Sequence, residues 1–144
     1  MDWIEIVDVL YRFGRGQDLR DRELFASAFA EDATVDFQPA AAKWGGVSPP
    51  MTGRDTIVDT IFTVLSDVDT THVVTNPRVE IDGDTARLTA IVEAQHLRSG
   101  DHSTFALLKN FYDVELVKEG SRWVARRIGI DNAWYQGEPT AFFG

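Results

Sequence analysis

Apolar residues open the chain at helical spacing. Trp3, Ile4, Ile6, Val7, Val9, Leu10 and Phe13 predict a mostly buried first helix. Asp2 stands where a cap is useful and places negative charge at the helix start. Gly14 and Gly16 weaken its last turns. A second, short helix is predicted over Asp21–Phe29, with Leu24, Phe25, Ala28 and Phe29 inward. The period then drops to two across Ala33–Phe37, a strand. Gln38 to Pro50 carries three prolines, two glycines and three consecutive alanines, and reads as a long loop. Thr52-Gly53-Arg54-Asp55 resembles a helix start, and Ile57, Ile61, Val64 and Leu65 form the stripe of a third helix. From Thr70 onward the pattern is that of strands: Thr71–Ile81, Thr85–Leu97, Ser103–Val117 and Trp123 to about Trp134. Asp82-Gly83-Asp84, Ser99-Gly100-Asp101 and Glu119-Gly120 supply the turns.

Three helices and one early strand followed by four long antiparallel strands define an α+β fold, with the helices covering one face of the sheet. Strands this long must twist and bend, wrapping the helices as a half-open cone whose mouth makes a pocket. The 144 residues fit a single domain spanning the whole chain. A strongly curved sheet also leaves apolar residues on its outer face, so a homo-oligomer, dimer or trimer, is expected.

Composition narrows the chemistry. The absence of cysteine excludes disulfides, thiolate metal sites and cysteine nucleophiles. The three histidines, His72, His96 and His102, lack a short ligand spacing, so no metal site is expected. Twenty-three acidic against fourteen basic residues give a net charge of −9, a surface that repels nucleic-acid phosphates. No apolar run reaches the length of a membrane span. The start Met-Asp-Trp-Ile-Glu lacks a basic signal-peptide region, so a cytoplasmic location is expected.

Several side chains are candidates for a site. Tyr11 and Asp18, seven apart, return to nearly one face of the first helix, with Gly14 between them leaving a gap. Asp18 either closes that stripe or caps the second helix. Strand alternation puts His72, Val74 and Asn76 on one face, where His72 is either a general base or a structural histidine. His96 shares a row with Ala86, Leu88, Ala90, Val92 and Ala94, which either floors a cavity or, the favoured reading, is ordinary packing under a helix. His102 reads as a solvated turn residue. Asn110 and Tyr112 share a face of the next strand. Arg126 and Arg127 are expected on opposite faces of the last strand, either with one of them inward or with one on the surface and the other paired with an acid. Phe13, Trp134 and Tyr135 are candidate pocket walls. No phosphate-binding loop or nucleophile elbow is present.

The order of short segments adds a resemblance. Glu23-Leu24-Phe25, Phe29-Ala30-Glu31-Asp32-Ala33, Gly53-Arg54-Asp55-Thr56-Ile57, Thr71-His72-Val73-Val74-Thr75-Asn76, Ile81-Asp82-Gly83-Asp84-Thr85-Ala86, Asn110-Phe111-Tyr112 and Gly120-Ser121-Arg122-Trp123 follow one another along nearly the whole chain. In this it resembles the nuclear-transport-factor-2-like superfamily, in particular the SnoaL-like branch that holds scytalone dehydratase, hexachlorocyclohexane dehydrochlorinase and bile-acid dehydratases. The resemblance implies a cone-shaped α+β barrel. It also implies a catalytic pair of Asp18 at the end of the first helix and His72 at a strand start. The resemblance further implies a substrate-contacting residue on the first helix. Tyr11 is the candidate by face, although the usual spacing of five from the aspartate falls on Phe13. It implies another on the last strand, where Arg127 is the nearest equivalent. Asn110 replaces the glycine usual before the strand tyrosine.

The resulting expectation is a cofactor-independent lyase of dehydratase type. Its Asp18–His72 pair would act on a small, largely apolar, cyclic carbonyl compound, with Tyr11, Phe13, Asn110, Tyr112, Arg127 and Trp134 lining the pocket. The alternatives are an isomerase or polyketide-type cyclase using the same base, and a non-catalytic binding or assembly module of the same fold.

Overall fold

The structure, a computed structural model, describes residues 2–143. Helices α1 (Asp2–Asp18) and α2 (Arg22–Ala26) precede strand β1 (Phe29–Asp36). A short helix α3 (Gln38–Ala41), a tight turn at Ala42–Trp44 and the two-residue strand β2 (Met51–Thr52) lead to α4 (Arg54–Val64). Then come β3 (Val68–Asp82), β4 (Thr85–Arg98), β5 (Asp101–Glu119), β6 (Arg122–Gly137) and a last short helix α5 (Thr140–Phe143).

The strands form one sheet in the order β2-β1-β6-β5-β4-β3. Only β1 and β6 pair in parallel; the other neighbours are antiparallel. The sheet is mixed and stays open, with β2 and β3 as its edges. The expected α+β arrangement is present. The stretch Gln38–Pro50 is more ordered than expected: α3 and the Ala42–Trp44 turn seat Ala40 and Ala41 in the interior. The short α5 was not anticipated at all.

The inner face of the sheet and the helices share one core. Ile6, Val7, Val9, Leu10 and Phe13 of α1 meet Phe25 and Phe29, Ile57 and Val58 of α4, and Leu88, Val114, Leu116 and Ile128 of the sheet. This is the amphipathic logic of both periods, 3.6 and two, pointing at the same interior. Arg12 is buried among them; its guanidinium donates to the carbonyls of Ser27 and Trp123 and to Asp8, tying α1 to the chain after α2 and to β6. Among the described residues no helix is long and apolar enough to cross a membrane.

Candidate active site

The end of α1 is built by a left-handed residue. Arg20 takes φ 53°, and Asp21 N–H reaches back to the Gly16 carbonyl at 2.8 Å, the bonding of a helix terminated by an αL residue. The Arg20 guanidinium then closes the corner. It donates to the carbonyls of Gln17 and Val68, to the Leu65 carbonyl at 3.2 Å and to Thr70 Oγ1 at 3.2 Å. The last turn of α1 is thereby fastened to the start of β3.

Asp18 sits in that last turn and His72 lies on the inner side of β3. Three donors converge on the Asp18 carboxylate. Thr70 Oγ1 donates to Oδ1 at 2.9 Å, the His72 backbone N–H donates to Oδ2 at 2.8 Å, and His72 Nδ1 lies 2.6 Å from Oδ1. The His72 side chain is 3% exposed and that of Asp18 is 19% exposed. With Nδ1 committed to Asp18 as donor, the free nitrogen of the ring is Nε2. A carboxylate in this position fixes the tautomer and the orientation of the ring.

His72 is part of the wall of a cavity of about 290 Å³ between α1, α4, the sheet and α5. The rest of the wall is mostly apolar, including Val35, Phe37, Ile61, Leu108, Ile130 and Phe143. Among the described residues its lining holds no lysine or arginine, and its polar groups are Gln17, Ser48, Thr60, His72, His96, Asn110 and Tyr112. Phe13 also lines it, edge-on to both His72 and Tyr112. Burial, and the charge of Asp18 after it, raise the Tyr112 phenol above its ordinary value, so it is a neutral hydroxyl.

His96 belongs to the same cavity, its ring centroid 6.1 Å from that of His72. Its Nδ1 is 3.3 Å from the Ala106 carbonyl, which accepts from it. Burial foremost, then the neighbouring His72, push its pKa down to about 3. His96 is therefore a neutral imidazole facing the cavity: Ala94 and His96 floor it, while Leu88, Ala90 and Val92 of the same row are packed core. The row is small because the cavity lies over its end, at Ala94 and His96.

The structure brings His72, Phe13, Asn110 and Tyr112 to the cavity wall, with Asp18 bonded to His72 from behind, and leaves three expected residues outside it. Tyr11 is 48% exposed and lines a shallow outer groove with Gly14, Arg15, Asp18 and Val73. It shares the stripe of Asp18 but lies two turns earlier, on the outside of the seam between α1 and β3, beside Val73 and Val74. Arg127 points outward and pairs with Asp36 at 3.3 Å. The cause is a bulge: Glu115 pairs with Arg127 and Leu116 with Ala125, so Arg126 is an extra residue and both arginines are exposed. They do not take opposite faces. A second bulge acts on Trp134. Lys109 pairs with Trp134 and Asn110 with Asn132, leaving Ala133 extra and reversing the alternation. Trp134 lands on the outer face beneath the Lys109 ammonium, 5.9 Å from its ring.

An open cone of helices and sheet, with an acid–imidazole pair beside an apolar hollow, defines a class rather than one protein. The comparisons place the chain within it. Residues 2–128 match the model of the SnoaL-like domain, and the chain belongs to that family. It is 31% identical over 144 aligned positions to the terrestric acid biosynthesis cluster protein E of Penicillium crustosum, covering 95% of this chain and 86% of that one. Its fold is similar to that of a protein from Kribbella flavida, with 25% identity, a TM-score of 0.83 and coverage of 94% and 93% of the two chains. It is also similar to the type-3 hexachlorocyclohexane dehydrochlorinase of Novosphingobium barchaimii, with 18% identity, a TM-score of 0.78 and coverage of 96% and 90%.

Proposed function

We propose that the chain is a cofactor-independent lyase in which His72 and Asp18 perform an elimination on a neutral carbonyl compound. The observation that carries this reading is the 2.6 Å contact of His72 Nδ1 with Asp18 at the wall of an apolar cavity. In the proposed reaction, His72 Nε2 takes a proton from the carbon next to the carbonyl, and the electron pair moves onto the oxygen as an enolate. The imidazolium returns that proton to a hydroxyl on the neighbouring carbon. Water leaves, the carbon–carbon double bond forms, and His72 is neutral again. Positioned acid–base work of this kind contributes about 10²–10⁴-fold.

The substrate class follows from the lining. With no lysine or arginine among the described lining residues, the cavity offers no fixed cation to pair with a carboxylate or phosphate, and the outward Arg127 withdraws the anchor expected from the family resemblance. A volume of about 290 Å³ with aromatic and branched walls suits a neutral compound of one or two rings. The relative encoded in a biosynthesis cluster and the dehydrochlorinase of like fold are in keeping with elimination on small organic molecules.

The test is His72→Ala and Asp18→Asn against a panel of cyclic β-hydroxy-ketones, with product mass recorded. The expected result is loss of turnover by about two to four orders of magnitude in folded variants. Loss of one water in mass marks elimination; unchanged mass marks isomerisation. Undiminished rates in both variants overturn the pair.

A further inference from the structure

One wall of the cavity is governed by two asparagines. Asn110 of β5 and Asn132 of β6 pair across the ladder and are 1% and 2% exposed. A carboxamide can face either way at its site, and its neighbours decide which. Asn132 Nδ2 lies 3.2 Å from the Lys109 carbonyl and 3.0 Å from the Trp134 carbonyl. Backbone carbonyls only accept, so the group between them is an NH₂. That same NH₂ is 2.9 Å from Asn110, so the Asn110 atom that meets it is Oδ1. What remains for the cavity is the Asn110 NH₂, which no acceptor among the described residues takes up.

The backbone explains why an asparagine stands at 132. The extra residue Ala133 interrupts the β5–β6 ladder, leaving the Lys109 and Trp134 carbonyls on either side of the bulge in need of a donor. A side-chain NH₂ supplies both, and with two hydrogens for three acceptors it shares one of them with Asn110 Oδ1. The bulge that turns Trp134 outward thus also orients a donor inward.

We infer that Asn132 is a positioning residue that locks Asn110 as a hydrogen-bond donor, so that the cavity selects ligands presenting a carbonyl or enolate oxygen at that wall. The catalytic consequence rests on the acid–base reading above; the ligand selectivity does not. A donor oriented before the ligand arrives needs no reorganisation when negative charge grows on the oxygen. A buried NH₂ without an acceptor also penalises ligands that lack such an oxygen.

The experiment uses α-tetralone, a neutral ketone that only accepts hydrogen bonds, and naphthalene as its hydrocarbon control. In the isotope-labelled chain, α-tetralone is expected to move the side-chain NH₂ resonances of Asn110 while those of Asn132 stay, and naphthalene to move neither. In Asn132→Asp the new carboxylate accepts from Asn110, which turns its NH₂ away from the cavity. That variant is expected to bind α-tetralone about fivefold to tenfold more weakly, with naphthalene unchanged. If the variant does not fold, the titration of the unaltered chain still decides. Asn110 resonances indifferent to the ketone, no binding of the ketone, or a variant that keeps its preference for ketone over hydrocarbon each overturn the inference. None of these outcomes touches the His72 and Asp18 rate test, which fails or succeeds separately.

Discussion

Gly14 of α1 and His72 of β3 face each other with no room for a side chain between them. A Cβ on Gly14 would stand 2.9 Å from His72 Cβ, inside the 3.0 Å limit that real Cβ atoms respect. The closeness of helix and edge strand is what lets the short Asp18 side chain reach both the backbone and the ring of His72. Gly14→Ala is therefore expected to separate stability from activity. Alanine adds about 1 kcal/mol of helix propensity, partly offsetting the displacement of β3. The His72 ring moves by a fraction of an ångström, and misplacement near 1 Å can cost about 10²-fold. A melting point within a few degrees of the parent with turnover reduced on the order of tenfold or more is the expected pair of results. Full turnover would show that the contact does not set the geometry.

Thr70 links Arg20 to the acid. Its hydroxyl accepts from Arg20 and donates to Asp18. Thr70→Val keeps the branched shape and removes the donor, leaving Oδ1 of Asp18 to His72 alone. A hydrogen bond to a charged group contributes about 1.5–3 kcal/mol, so turnover is expected to fall on the order of tenfold, with restoration in Thr70→Ser. Rates measured on these two variants side by side check this. Equal losses in both would point to packing rather than the hydroxyl.

Much of this architecture is legible in the chain before any coordinates. The long strands and α1 announce themselves because each buries one face over many residues, so the period repeats often enough to be read. Asp18 and His72 are legible in another way: the periods leave each open between a site and a structural role, and it is the resemblance to the SnoaL-like branch that pairs them. The misplaced residues fail for a shared physical cause. A bulge adds one residue and reverses strand alternation, and nothing in the apolar pattern around Arg126 or Ala133 marks it. Trp134 is thereby one phase out of the alternation, and Arg127, implied as a pocket residue by the resemblance, faces outward together with the bulged Arg126. Tyr11 shows a different limit, since periodicity reports the face of a helix but not which side of a helix–strand seam that face opens to. Helix α5 is four residues long, too short to show a period, yet it brings Phe142 and Phe143 to the cavity.

Phe143 tests what that short helix does. Its ring lies 4.9 Å from His96 and 5.3 Å from Phe37, closing the cavity beside the imidazole. Phe143→Ala removes a half-buried ring, and burying a whole one contributes roughly 1.5–3 kcal/mol. About half of that, felt by a ligand in the cavity, corresponds to binding of α-tetralone weakened about fivefold. Calorimetric titration of parent and variant measures it. An unchanged affinity would place the ligand away from this end.

His96 gives the chain a dependence on acid with a definite sign. Burial, and His72 after it, lower its pKa from the ordinary 6.5 to about 3. As pH falls through 6.5 the unfolded chain takes up a proton that folded His96 refuses until about pH 3. The unfolded state then binds more protons, so stability is full above pH 6.5 and declines below it. The ceiling for one group is about 1.4 kcal/mol per pH unit, or about 2 kcal/mol between pH 6.5 and 5. The carboxyls of Asp69, Asp101 and Asp113 are also held low, chiefly by hydrogen bonds from His102, Ser103 and Arg87. Their contributions are lost only below their ordinary value of 3.8, so they leave the upper window to the histidine. His96→Gln removes the titrating group and keeps a donor for the Ala106 carbonyl. Urea unfolding at a series of pH values is expected to show a clear decline from pH 7 to 5 in the parent and a shallower one in the variant. Equal slopes would mean that His96 takes up its proton in the folded chain near the ordinary pH, and hence that water reaches the ring through α5.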